Sequence, residues 1–150
     1  MTSINEPDFA TISNKSLDLL SRRDHSVFEL IQKLKKRFGP NKLINDVIIR
    51  LQESNLLDDQ RFSEGYIKVR ARKGFGPRRI DAELQQRKVS EAIINQELSM
   101  IENWNELALL AFKKKFGNFQ KDTKEILKAK SFLQNRGFSF EQIEFCIHET

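Results

Sequence analysis

The sequence predicts an all-α protein made of three tandem three-helix repeats, which would form an elongated, curved helical array. Apolar residues recur at the i, i+3, i+4 spacing of amphipathic helices, and no segment alternates apolar and polar residues as a strand does. Only six Gly and three Pro occur in 150 residues, which favours long helices joined by short turns. A weak internal repeat with a period near 50 residues indicates the tandem organisation.

The composition agrees with a helical protein that has a large surface. Hydrophobic residues make up 39% of the chain and charged residues 31%. Globular domains average roughly 45–50% apolar and about 25% charged residues. An elongated helical protein therefore fits the composition better than a compact α/β enzyme.

The first three helices are delimited by caps and breakers. The first should span residues 8–22. Either Asp24 or Ser26 can cap the second helix, because both side chains accept hydrogen bonds from the free N–H groups of a first turn. A Phe-Gly-Pro sequence at 38–40 should end that helix, and the third should begin after Asn41.

The middle three helices follow the same logic. An Asp pair at 58–59 is an N-cap signal for the fourth helix, and a Gly-Phe-Gly break at 74–76 should end it. Pro77 suits the first turn of the fifth helix, because no backbone donor is needed there. That helix should end near Lys88, and Ser90 can cap the sixth.

The last three helices complete the pattern. Asn103 can cap the seventh helix, which Gly117 closes. The eighth should begin near Thr123 and end at the Asn-Arg-Gly sequence 135–137, a C-cap signal. Ser139 can cap the ninth.

The internal repeat rests on leucines and on paired positions. Leu34, Leu84 and Leu133 lie 50 and 49 residues apart, and LQQRKVS from 84 to 90 matches LQNRGFS from 133 to 139.

In the same register the Arg-Arg pair at 22–23 corresponds to the Arg-Lys pair at 72–73, and Ser26 corresponds to Gly76. We therefore expect a flexible tail at 1–7 and helical repeats at 8–55, 56–101 and 102–150.

Positive charge is concentrated in residues 68–88, the basic segment. The segment has a net charge of +6, whereas the whole chain has +5, so the remainder sums to about −1. Such a localised charge favours a polyanion or an acidic protein surface as partner. The segment contains two acidic residues, Asp81 and Glu83, and eight basic residues. The basic residues are the candidate contacts: Lys68, Arg70, Arg72, Lys73, Arg78, Arg79, Arg87 and Lys88. Arg22 and Arg23 are secondary candidates.

Other readings of the charges remain open. Exposed Lys and Arg often serve only solubility, and the clusters at 33–37 and 113–115 fit that role. In the basic segment, Phe75 can either stack on a base or fill the local core. The fifth helix would direct free N–H groups towards a ligand beside Arg78 and Arg79.

The sequence contains no pattern that points to catalysis, a cofactor or a metal. No phosphate-binding Gly-rich motif occurs, and the two histidines, His25 and His148, lie far apart in the sequence instead of forming a metal-binding pattern. The single Cys146 excludes an intramolecular disulfide and suits a reducing compartment. With a polar N-terminus and no long apolar run, we expect a soluble, cytoplasmic, non-enzymatic protein.

Several ordered motifs resemble the RecX regulatory proteins over residues 9–149. The matching segments are SRRDHS at 21–26 with Glu29, Leu30, Lys33 and Leu34; LDDQRF at 57–62; RKGFGP at 72–77 with Ile80, Glu83, Leu84 and Ser90; and KSFLQNRGF at 130–138.

The resemblance implies three tandem three-helix units and no catalytic residues. It also implies binding to the RecA recombinase–DNA filament, mostly as an inhibitor, with effects on recombination, DNA repair and the SOS response. Single- or double-stranded DNA is a second expected partner, and the protein should be a monomer. The alternative function is that of a stand-alone helical DNA-binding protein or transcription factor.

Overall fold

The computed structural model describes residues 6–149, so the first five residues of the expected tail at 1–7 lie outside the described range. Within that range the chain forms nine helices and no strand, which confirms the all-α prediction. None of these helices is both long and apolar enough to cross a membrane. The helices are α1 (Phe9–Arg22), α2 (Val27–Phe38), α3 (Leu43–Glu53), α4 (Asp59–Arg72), α5 (Pro77–Gln86), α6 (Glu91–Ser99), α7 (Trp104–Lys115), α8 (Thr123–Arg136) and α9 (Phe140–His148).

Most helix starts follow the capping residues that the sequence indicates. Ser26, not Asp24, caps α2: its Oγ accepts from the Glu29 N–H, and the Glu29 carboxylate accepts from the Ser26 N–H in return. Asp58 caps α4, where its Oδ1 accepts from the N–H groups of Gln60 and Arg61. These side chains satisfy donors that a helix cannot pair within its own first turn.

One expected helix cap is wrong, and one helix ends two residues before the expected position. Asn103 makes no side-chain cap bond to α7, because its backbone (φ −111°, ψ 40°) is outside the extended region in which a capping side chain reaches the first turn. Helix α5 ends at Gln86 instead of near Lys88. Lys88 itself is left-handed, with φ 58°, and therefore cannot continue a right-handed helix.

The chain divides into two compact units. Unit 1 comprises the chain up to Phe62 together with Arg87–Val89. Its core joins α1, α2 and α3, because each of these helices has one apolar face. The buried members of this core are Ile12, Leu30, Leu34, Ile44, Val47, Ile48, Leu51 and Leu57.

Unit 2 comprises Ser63–Gln86 and the chain from Ser90 onward. Phenylalanine packing dominates the bundle of α7, α8 and α9, where Phe112 lies at 5.5 Å from Phe116 and at 5.0 Å from Phe119, between ring centroids. The buried residues of this bundle are Ala108, Phe112, Ala129, Leu133, Phe138, Ile143, Cys146 and Ile147.

Candidate interface in the basic segment

The centre of the basic segment is the ring of Phe75, between α4 and α5. The guanidinium carbons of Arg70, Arg79 and Arg136 lie 3.8, 4.6 and 4.7 Å from its centroid. Cations at this distance are attracted by the electron-rich face of an aromatic ring. Phe75 is therefore a local packing centre for arginines, which disfavours the alternative in which its ring stacks on a base.

Glu83 of α5 compensates two of these arginines. Its Oε1 accepts from Arg70 Nε at 2.9 Å and its Oε2 from Arg70 Nη2 at 2.8 Å, while Arg79 Nε donates to Oε2 at 3.4 Å. The Tyr66 hydroxyl donates to Oε1 at 2.9 Å. Burial raises the pKa of Glu83, but the bonds from Arg70 and Tyr66 outweigh it and leave the pKa below its ordinary 4.5.

The first turn of α5 is bonded to the turn between α8 and α9. The Gly76 N–H donates to the Arg136 carbonyl at 2.7 Å, and the Arg78 N–H donates to the Gly137 carbonyl at 2.9 Å. Of the free N–H groups that we expect at the start of the fifth helix, that of Arg78 is therefore already paired. The turn between α8 and α9 already accepts this hydrogen bond. Gly76 and Gly137 have no side chains that would hold the two backbone segments apart.

Arg136 has a structural role that the charge analysis of the basic segment missed. Its Nη1 donates to the carbonyl oxygens of Lys73 at 3.2 Å and Gly74 at 3.5 Å. In return, Arg79 Nη1 donates to the Asn135 carbonyl at 3.2 Å. The sequence signal that could have indicated this role is the internal repeat, in which Arg136 corresponds to Arg87.

Three cations of the basic segment in unit 2 remain unpaired. The side chains of Arg72, Lys73 and Arg78 are exposed and make no hydrogen bond or ion pair with any residue in the range 6–149. Lys68 is also exposed, but its Nζ lies 2.9 Å from Glu64 Oε1 on the same helix. The structure thus separates the candidates into compensated cations and cations that are available to a partner.

In unit 1, Glu29 compensates two more candidates. Its carboxylate accepts from Arg23 Nη1 and Nη2 at 3.3 and 3.2 Å, and Arg87 Nε lies 3.7 Å from Oε2. Burial raises the pKa of Glu29, but the bonds from Arg23 and the Ser26 N–H bring it below its ordinary 4.5.

The other two candidates of unit 1 lie on the surface. Arg22 pairs with Asp18 at 3.1 Å, one turn earlier on α1. Lys88 is exposed, and its side chain has no partner in the described part of the chain.

His25 lies next to Arg23 in the turn between α1 and α2 and is buried, with 2% of its surface exposed. Its Nε2 lies 2.8 Å from Lys33 Nζ and its Nδ1 lies 3.0 Å from the Arg23 carbonyl. Because the ammonium group only donates, Nε2 accepts and Nδ1 carries the proton, so the ring is neutral. Burial lowers its pKa below 6.5, and the nearby cations act in the same direction.

Residues 6–149 contain neither a cluster of metal-binding side chains nor a reactive thiol. No group of three or more His, Cys, Asp or Glu side chains there could hold a metal ion. Cys146 is buried, and burial raises the pKa of its thiol to about 11, so little reactive thiolate forms at neutral pH.

Family models identify the three helical triplets. The first, second and third three-helix domains of RecX match residues 14–51, 58–98 and 102–147. The chain belongs to the RecX family. Proteins called regulatory protein RecX share 42% identity over 141 residues in Vibrio parahaemolyticus and 37% over 134 residues in Ectopseudomonas mendocina. The first of these alignments covers 91% of both chains, and the second covers 88% of this chain and 89% of the relative.

Solved structures agree with the RecX fold. The crystal structure of RecX from Lactobacillus salivarius matches with a TM-score of 0.80 at 22% identity, over 94% of this chain and 95% of that one. A second crystal structure, of a regulatory protein RecX, also gives a TM-score of 0.80. The motif resemblance is thereby confirmed as family membership, and RecX relatives are regulatory proteins by name.

Proposed function

We propose that this RecX protein binds the RecA recombinase–DNA filament and modulates its activity, mostly as an inhibitor, in recombination, DNA repair and the SOS response. The observation that carries the proposal is the match to all three RecX domains in order along the chain. The protein would act in the cytoplasm as a monomer, by binding alone, with no cofactor and no catalytic residue.

The unpaired cations are the strongest candidates for the filament contact. Arg72, Lys73 and Arg78 in unit 2 and Lys88 in unit 1 have exposed side chains with no compensating carboxylate in the described residues. A partner's phosphate or carboxylate can pair with them without breaking an existing bond. Lys68, Arg70, Arg79, Arg87, Arg22 and Arg23 stay on the list of candidates, but each would first have to leave a carboxylate.

The DNA-dependent ATPase of RecA tests the proposal. Titrating this protein into RecA on single-stranded DNA should lower the steady-state rate of ATP hydrolysis, because a bound protein that holds the filament hinders its growth and cycling. The control is the same titration without DNA, which measures any effect on free RecA. An unchanged rate at a saturating concentration of this protein, on filaments shown by sedimentation to form, would overturn the proposal.

Direct DNA binding needs a separate measurement. Gel shifts without RecA, on genomic and scrambled duplexes, would favour the stand-alone DNA-binding alternative if they showed strong sequence preference. If the basic segment contacts phosphates, the log of the affinity should fall with the log of the salt concentration, with a slope of roughly −0.9 per neutralised phosphate. Replacing Arg72, Lys73 and Arg78 by Ala should make that slope shallower.

A further inference from the structure

A groove in unit 2 combines an apolar floor with a basic rim. It is lined by the end of α4, by one face of α7 and by α8, and has a volume of about 320 Å³. Leu107, Leu110 and Ala111 of α7 form its floor together with Ala71 and Phe132. Leu110 is 66% exposed, although α7 turns its other face, with Ala108 and Phe112, into the core.

The rim of the groove carries only positive charge. Arg72 and Lys73 line it at the end of α4, Lys114 and Lys115 at the end of α7, and Arg136 on α8, and no carboxylate is among the lining residues. Two α-helices therefore bring their C-terminal cations to one site. Like charges gathered without compensation cost stability, so the arrangement fits a partner that supplies negative charge.

The spacing on α7 defines the shape of the partner. Leu107, Leu110 and Ala111 stand at i, i+3 and i+4, and Lys114 and Lys115 continue the same face one turn later. An apolar stripe bordered by charge is the surface that receives an amphipathic helix in a groove. Phosphates would need the cations alone and would leave the exposed Leu110 without a role.

We propose that this groove binds an acidic amphipathic helix of a protein partner, whose apolar side chains contact Leu107, Leu110 and Phe132 while its carboxylates pair with the rim. The proposal goes beyond filament modulation. Of the eight candidate cations of the basic segment, the groove includes only Arg72 and Lys73, and its decisive residues, Leu110, Lys114 and Lys115, lie outside that segment.

A groove in unit 1 shows that basic charge alone does not make such a site. Lys33, Lys35 and Lys36 line it with Gln32, and no apolar side chain contributes to its lining. Lys35 and Lys36 also stand in the last turn of their helix, as Lys114 and Lys115 do. The pair at 35–36 is therefore a matched control for the pair at 114–115.

Fluorescence anisotropy with the whole 150-residue chain tests the proposal. The probe is a labelled synthetic helix of about 18 residues, five turns long, with leucines at i, i+3, i+4 spacing and glutamates elsewhere. A scrambled peptide of the same composition has no apolar stripe, and single-stranded oligothymidylate supplies phosphates without apolar anchors. Circular dichroism and thermal melts check that each variant is folded.

The expected result is that the amphipathic peptide binds and that the scrambled peptide binds about tenfold more weakly. Lys114→Glu with Lys115→Glu should weaken binding roughly tenfold or more, because like charges then face each other. Leu110→Glu should have a comparable effect. Lys35→Glu with Lys36→Glu, and Leu127→Glu at an exposed leucine (62%) outside the groove, should leave binding unchanged.

Three results would overturn the proposal. Equal binding of the two peptides would mean that charge alone acts. Undiminished peptide binding by the Leu110→Glu or the Lys114→Glu, Lys115→Glu variant would place the peptide elsewhere. Oligothymidylate binding that is lost in the lysine variant and kept in Leu110→Glu, without peptide binding, would assign the groove to nucleic acid. None of these results depends on RecA, so filament modulation can fail or hold independently.

Discussion

Two turns that lie 50 residues apart in the chain present their cations in different ways. One joins α1 to α2 at residues 23–26, and the other joins α4 to α5 at residues 73–76. At the first turn, Arg22, the last residue of α1, pairs with Asp18, and Arg23 pairs with Glu29.

At the second turn, the corresponding residues are Arg72, the last residue of α4, and Lys73, and their side chains have no partner among residues 6–149. The compensated cations there are Arg70 and Arg79, which surround Phe75 and share Glu83. The same position in the repeat therefore stabilises the fold in unit 1 and remains available to a partner in unit 2.

The residues that shape the two turns explain this difference. Ser26 ends the first turn as a cap whose Oγ also donates to the Arg87 carbonyl at 3.1 Å. Gly76 occupies the same position in the second turn and has no side chain, so its backbone contacts Gly137 and Phe138. The residue before this position is His25 in the first turn and Phe75 in the second. His25 is a neutral ring that forms hydrogen bonds, whereas Phe75 packs against guanidinium groups. Side-chain capping holds the first turn, and close backbone packing holds the second.

The largest expected effect on stability is that of Gly76→Ala. An added Cβ would lie 2.5 Å from the Gly137 carbonyl and from the Phe138 nitrogen, which forces the two backbones apart. We expect a loss of about 2–3 kcal/mol in the free energy of unfolding, measured by urea denaturation. Ser26→Ala at the corresponding position should cost about 1 kcal/mol as the loss of a cap.

Gly65 in α4 provides the control, because an added Cβ there meets nothing within 4 Å. Gly65→Ala should raise the free energy of unfolding by roughly 0.5–1 kcal/mol, since alanine favours the helix. A Gly76→Ala protein as stable as the wild type would contradict the close packing of the second turn.

Glu83 and Glu29 should contribute unequally to the free energy of unfolding. Glu83→Gln removes the charge that Arg70 and Arg79 share, in a site where the Arg70 and Glu83 side chains are 20% and 17% exposed. We expect a loss of about 2 kcal/mol, as for hydrogen bonds to a partly buried charged group. Glu29→Gln should cost about 1 kcal/mol, because Arg23 is 49% exposed and its pairing is screened by water.

Acid titration provides a check on both carboxylates. Because the pKa values of Glu29 and Glu83 lie below 4.5 in the folded protein, their contributions are present above pH 4.5 and are lost as the pH falls below it. Each Gln variant should therefore approach the stability of the wild type in acid. A difference in stability that stays constant down to pH 3, roughly one unit below the ordinary Glu range, would contradict this assignment.

The turn that contains His25 should make the free energy of unfolding depend on pH in milder acid. The pKa of His25 is lower in the folded chain than its ordinary 6.5, so the unfolded chain binds a proton that the folded chain excludes. The free energy of unfolding should fall as the pH drops below 6.5, by at most about 1.4 kcal/mol per pH unit. In His25→Gln this part of the pH dependence should disappear, as urea denaturation at pH 7, 6 and about 5.5 would measure. Equal slopes in both proteins would contradict the neutral, buried ring.

The smallest expected effect comes from Lys88, which takes the left-handed conformation that Gly137 takes at the corresponding position. Lys88→Gly should stabilise the protein by roughly 0.5–1 kcal/mol, because glycine adopts this backbone without strain. The same variant loses one unpaired cation. Thermal denaturation measures the first effect, and weaker binding to the RecA–DNA filament would show that a strained lysine is kept for a contact.

The sequence predicts the fold well because local signals coincide with the helices. The apolar spacing, the caps at Ser26 and Ser139 and the Gly137 terminator all depend on neighbours within one turn. Asn103 was misjudged because a capping residue needs an extended backbone, and its φ and ψ are not evident from its identity.

The candidate interface was only partly predictable, because charge is visible in the sequence but pairing is not. Arg70 and Glu83 are 13 residues apart, and Arg136 is 63 residues from the Lys73 carbonyl to which it donates. Periodicity carries no information about such contacts. Their sequence pattern alone fits the lysines at 114–115 to a role in solubility, whereas the fold places them on the rim of a groove that also includes Arg72 and Lys73.

The most direct test of the account is the affinity of matched triple variants for preformed RecA–DNA filaments, measured by co-sedimentation. Arg72→Ala, Lys73→Ala, Arg78→Ala removes three unpaired cations of the second turn and its helix. Lys35→Ala, Lys36→Ala, Arg37→Ala removes the same charge from the exposed last turn of α2. We predict roughly tenfold or greater weakening for the first variant and almost none for the second. Equal affinities of the two variants would contradict the claim that the unpaired cations of the basic segment form the contact.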